Sequence, residues 1–182
     1  RGWKIGAAGS EDNHSGTWGN MTPSKLAVLS SSLTRTDIMS ALKARRFFTT
    51  YDKTLALSFK INGNEMGSTL TAGVYTFQIA ATDGEGELFS RIELLKKGIV
   101  QQTWTPNTSS PVVSENLTCI DGDYFYVRVK QADNDEAISS PIWISGGNFN
   151  PSCSITSPAS GVSFPAPATI TISATASDID GT

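Results

Sequence analysis

A mainly β chain, organised around one antiparallel two-sheet sandwich, is the fold class this sequence predicts. Three observations predict it: short alternating apolar and polar runs from Thr54 to Ser145, turn residues between those runs, and a single stretch with helical periodicity. The runs are TLALSFKING, GVYTFQIAAT, LFSRIELLKKG, IVQQTW, DYFYVRVKQ and AISSPIWIS, with NGNEMGS and DGEG as turns and a serine-rich loop after IVQQTW. About seven strands at this spacing fit an immunoglobulin-like sandwich.

Bulk properties narrow the partners. The chain has 182 residues, of which 38% are hydrophobic, enough for ordinary cores. Acidic residues number 17 against 14 basic ones, a net charge of -3, and no basic cluster exists to neutralise a phosphate backbone. Nucleic acid is therefore excluded as the expected partner. No run approaches the ~18 consecutive apolar residues of a membrane span. The chain starts at Arg1 without an initiator methionine, and its last alternating stretch stops at Thr182 without a partner strand, so the expectation is an internal fragment.

In chain order, residues 1–53 open with WKIGAAGS, read as a buried strand running into a glycine turn. A helix follows within LTRTDIMSALKARRFF. Thr34 caps it, Asp37 is the capping-box partner, and Ile38, Met39, Ala41 and Leu42 form the apolar stripe. Arg45 and Arg46 lie near its C-terminus, where the helix dipole favours positive charge. Residues 54–146 are the sandwich, 147–152 a polar linker, and 153–182 the start of a second β-domain rich in Ser, Thr, Ala and Pro. Cys119 and Cys153 lack the CxxC spacing of zinc ribbons and thioredoxins; they are free, or paired if the compartment is oxidising.

Few residues can carry chemistry. In GSEDNHSG, Asp12 and His14 stand at i and i+2, so an extended turn lets a carboxylate oxygen and an imidazole nitrogen converge on one divalent cation. The alternative is an Asx turn at Asp12 and Asn13 with His14 simply exposed. DNDE, from Asp133 to Glu136, and the turn holding Asp178 and Asp180 offer oxygens to calcium without the ordered spacing of an EF-hand loop; acidic turns are the commoner explanation. Trp104 and Trp143, with Tyr124 and Tyr126 on one sheet face, could stack against a glycan, although strand aromatics more often fill cores. Asn20, Asn107 and Asn116 open N-x-S/T triplets. Walker, H-E-x-x-H and G-x-S-x-G motifs are absent.

Taken together in order, GSEDNHSGTWG and LTRTDIMSALKARRFFTTYDKTLALSFKINGNEMGS resemble the end of a secreted metallohydrolase of the polymerase-and-histidinol-phosphatase (PHP) superfamily. The likeness covers roughly residues 3–68. It implies that residues 1–53 are the last strand and helix of a truncated (β/α)7 barrel, with Asp12 and His14 as metal ligands. It also implies Mn, Zn or Fe in the intact protein, and a metal-activated water cleaving a small phosphorylated or other ester substrate. One histidine cannot build a multinuclear site, so the remaining ligands are expected upstream and this fragment is expected to be inactive. The SDIDGT turn likewise resembles bacterial immunoglobulin-like surface modules. The competing expectation is a non-catalytic extracellular sandwich for adhesion, carbohydrate binding or spacing. Both readings place the chain outside a bacterial cell, at its surface or in the periplasm.

Overall fold

The computed structural model describes residues 3–147 and 149–179. Its elements are β1 (Lys25–Val28), α1 (Arg35–Lys43), β2 (Phe47–Thr50), β3 (Leu55–Ile61), β4 (Asn64–Glu65), β5 (Thr69–Leu70), β6 (Gly73–Asp83) and β7 (Phe89–Lys96). They continue with β8 (Ile99–Trp104), β9 (Val112–Cys119), β10 (Tyr124–Gln131), β11 (Glu136–Ser139), β12 (Ile142–Ile144), β13 (Ser152–Ser157) and β14 (Ser173–Ser177).

Two sheets enclose the core. The smaller has the order β4-β3-β6-β9; the larger runs β1-β2-β11-β10-β12-β5, with β7 also pairing with β10 and carrying β8 at its other side. All pairings are antiparallel except β5 with β12. Alternation decides which side chains meet. Leu55, Leu57, Phe59 and Ile61 of β3, and Phe77, Ile79 and Ala81 of β6, point inward from the small sheet. Phe125, Val127 and Val129 of β10, with Ile92 and Leu94 of β7, answer them from the large one. Phe77 and Phe125 meet edge to face across the layers, centroids 4.7 Å apart. Each fully buried phenylalanine contributes about 1.5–3 kcal/mol of transfer free energy.

Several expectations need correction. WKIGAAGS forms no strand: residues 3–24 have no regular secondary structure, and Trp3 and Ile5 are exposed. This stretch instead crosses the outer side of the large sheet. A Cβ at Gly6 would collide with Ser140 Oγ and the Phe47 ring, and one at Gly9 with Thr49 Oγ1, so glycine is what lets the chain lie this close. Among the described residues nothing shows a barrel remnant: β1 and β2 join the large sheet through β11. The serine-rich region contains β9, whose polar outward residues hid its eight-residue pairing with β6. AISSPIWIS is two strands, broken where Pro141 has no N–H to donate.

The helix stands where periodicity put it. Thr34 Oγ1 accepts from Asp37 N at 3.2 Å, although Met39 is 44% exposed and drops out of the apolar stripe. Asp37 is held below its ordinary value by hydrogen bonds from Ser32 and Thr34. Arg45 takes a left-handed φ of 57° after the helix and lays its guanidinium 5.2 Å from the Trp143 ring centroid. Both cysteines are free, Cys119 buried and Cys153 exposed. Burial, then the charge of Asp123, pushes the Cys119 thiol up to about 12. Past the linker, β13 and β14 pair only with each other and every residue in them is exposed.

Candidate functional site

The Asp12 loop is built by its neighbours. Glu11 Oε1 takes a 3.0 Å bond from Lys25 Nζ at the start of β1, and Glu11 Oε2 takes a 2.8 Å bond from Gly19 N. The Lys25 bond holds Glu11 below its ordinary value, against the opposing effect of burial. Asn13, rather than Asp12, makes the Asx turn, its Oδ1 accepting from Ser15 N at 2.7 Å. With the loop pinned this way, Asp12 has a φ of 48° and its Oδ1 lies 3.2 Å from His14 Nε2. The two side chains are 93% and 87% exposed, and Asp12 lines an open depression of about 380 Å³ together with Glu11, Asn13, Trp18 and Lys25. Among the described residues no third carboxylate, thiolate or imidazole joins them. Two ligands leave most of a cation's coordination sphere to water, short of a hydrolytic centre.

A second acidic site went unread in the sequence. Asp52 follows β2, Asp83 ends β6 and Glu87 precedes β7, and one oxygen from each lies within 4.8 Å of the other two. Between them sits Gln131, the last residue of β10. Its Nε2 is 3.2 Å from Asp52 Oδ2, 3.1 Å from Asp83 Oδ2 and 3.5 Å from Glu87 Oε2. Thr54 N and Oγ1 donate to Asp52 Oδ1, while Glu85 N and Glu87 N each donate to Asp83 Oδ1 at 2.8 Å. These bonds fix one oxygen of each aspartate and leave the other facing the glutamine.

The electrostatics follow from this geometry. Burial works against the charge of Asp83, but the Glu87 and Glu85 amides, Asp52 and Thr54 together bring it down to about 2. Glu87 moves the other way, raised by burial and by the charge of Asp133; Asp135 is raised by burial, then by Asp133 and Asp52. Asp52 and Asp135 also line an open depression of about 400 Å³ with Tyr51 and Lys53. A signal for this site exists in YFYVRVKQ: alternation puts Gln131 on the same face as Phe125, Val127 and Val129, an amide where an apolar residue is expected.

The other candidates are scattered. Trp143 is 8% exposed, covered by Arg45 and by Lys4, whose Nζ lies 5.9 Å from the ring centroid. Trp104 packs against the core, while Tyr124 and Tyr126 are half-buried on the outer face of β10, Tyr124 opposite Trp143. Asp178 follows β14, and Asp180 lies outside the described residues.

Comparison with known proteins sets the class. The Bacterial Ig domain family matches residues 151–182. An uncharacterised protein of Chlamydia pneumoniae is 30% identical over 141 residues, 68% of this chain and 23% of that protein. The chain thus spans about a quarter of this curated relative's length. Among solved structures, the CARDB domain of the PF1109 protein from Pyrococcus furiosus, in complex with di-metal ions, superposes with a TM-score of 0.36. That match has 9% identity over 51% of this chain and 94% of the other, a likeness at which neither ligand nor function transfers. The chain is thus a mainly β protein with antiparallel sheets, ending in a bacterial Ig-type match. Among the described residues no helix is long and apolar enough to cross a membrane.

Proposed function

We propose that this chain is a non-catalytic β-module of a multidomain bacterial protein exposed outside the cell, acting as a spacer and attachment unit. The observation that carries this reading is the succession of a closed two-sheet sandwich and a Bacterial Ig match at residues 151–182. The sandwich takes in β1 and β2 together with residues 54–146, while 147–152 and 153–182 serve as linker and second β-unit. An antibody to the chain should label intact cells of the source bacterium, and protease added to those cells should remove the epitope. An epitope reached only after lysis would refute the external placement.

A second reading belongs to the longer protein. The 3.2 Å approach of Asp12 Oδ1 and His14 Nε2 in a pinned, glycine-bounded loop favours their serving as two ligands of an Mn, Zn or Fe centre completed by residues elsewhere. In that reading the substrate is a small phosphorylated or other ester. His14→Ala in the longer protein should then abolish metal-dependent phosphoesterase activity, and full activity in that variant would end the reading.

A further inference from the structure

We propose that Asp52, Asp83, Glu87 and Gln131 form a calcium site that ties together three loops from both sheets of the sandwich. The proposal stands independently of the module reading, since it concerns only residues within the sandwich.

Four observations carry it. The three carboxylate oxygens all lie within 4.8 Å of one another, a spread that two calcium–oxygen bonds of roughly 2.3–2.6 Å can bridge. Secondly, no lysine or arginine among the described residues pairs with Asp52, Asp83 or Glu87; Lys53, nearby in sequence, instead approaches Glu85 at 3.9 Å. Half-buried carboxylates gathered without a countercharge repel one another, and a divalent cation removes that cost.

Thirdly, Gln131 is fully buried, its amide projects among the three carboxylates, and its Oε1 has no hydrogen-bond partner. A buried amide oxygen left without a partner costs about 1–3 kcal/mol. With a cation between the carboxylates, turning the amide over exchanges its three Nε2 bonds for one Oε1–calcium contact, a neutral carbonyl ligand of the kind calcium accepts. Finally, Asp52 lines an open depression of about 400 Å³, which brings solvent and ions to that edge of the cluster. Water then completes the coordination sphere, as calcium's six to eight oxygen ligands require.

The test uses the 182-residue chain, stripped with EDTA and dialysed. Calcium chloride at about a hundred times its Kd should raise the unfolding midpoint by roughly 5–10 °C, with magnesium giving a smaller shift. Asp52→Asn and Glu87→Gln should each weaken calcium binding at least ten-fold in calorimetry. Terbium luminescence sensitised through Tyr51, next to Asp52, reads the same site in any variant that folds, and calcium should compete it away. Absence of a calcium response in the parent chain overturns the proposal. So does a response that survives Asp52→Asn with Glu87→Gln, or one abolished by Asp12→Ala.

Discussion

Asp12 with His14, and Asp52 with Asp83 and Glu87, are two acidic sites made in opposite ways. The first comes from three consecutive residues of one loop and stands almost fully in solvent. The second is assembled from residues 79 positions apart at its widest, Asp52 to Gln131, and closes on a buried amide. A contiguous motif announces itself and constrains little. A dispersed cluster is silent in the sequence, yet its groups are oriented by backbone amides and coupled to folding.

That difference can be broken by experiment. The largest effect is expected at Gln131. Replacing it by alanine in EDTA removes the one amide shared by three carboxylates and leaves a gap in the core, costing about 2–3 kcal/mol by urea unfolding; a change under ~0.5 kcal/mol would mean the pocket relaxes freely.

Acid titration should come next. Asp83 is depressed to about 2, so its contribution is present above the unfolded value of about 3.9 and is lost as pH falls toward 2. Glu11, Asp37 and Asp123 are lowered and share that sign. Glu87 and Asp135 are raised, so their destabilising effect at neutral pH is relieved as pH falls through their elevated values. Urea midpoints in EDTA should therefore climb on mild acidification and fall below about pH 4. A profile that only declines would argue against repulsion in the pocket.

A smaller, local change is expected from Glu11→Ala, which cuts the loop from Lys25 and Gly19. Limited proteolysis should then cleave between residues 11 and 19 while the sandwich stays intact, and an unchanged cleavage pattern would show that other contacts hold the loop. The smallest effect belongs to the double variant Asp12→Ala with His14→Ala. Both side chains are exposed, so stability should stay within ~0.5 kcal/mol of the parent.

Legibility in the sequence followed the same division. The strands β3, β6 and β10 were readable because each alternates inward apolar residues with outward polar ones, as Leu57, Phe59 and Ile61 do against Ser58 and Lys60. The helix was readable because Thr34 caps it by a contact three residues away. By contrast β1 and β2 depend on partners: β2 becomes a strand by pairing with β11, nearly ninety residues later, and no local pattern encodes that. Trp3 to Ser10 misled because an apolar run with two glycines reads as a buried strand, whereas those glycines allow close passage over Phe47 and Thr49. In the candidate site only Gln131 left a trace, as the polar member of an otherwise apolar face.

Strand direction has a mechanical corollary. Four successive antiparallel pairings, β1 to β2, β2 to β11, β11 to β10 and β10 to β12, make β1 and β12 run the same way in one sheet. Lys25 therefore stands at the Gln131 end of that sheet and Ile144 at the Tyr124 end, roughly 20 Å away along the strands at 3.3 Å per residue. Tension applied through the polypeptide on either side of the sandwich is carried along the strands. The hydrogen bonds of the large sheet are then loaded in shear and resist together, instead of opening one at a time like a zipper, and the acidic pocket sits at the end of the sheet where β1 begins.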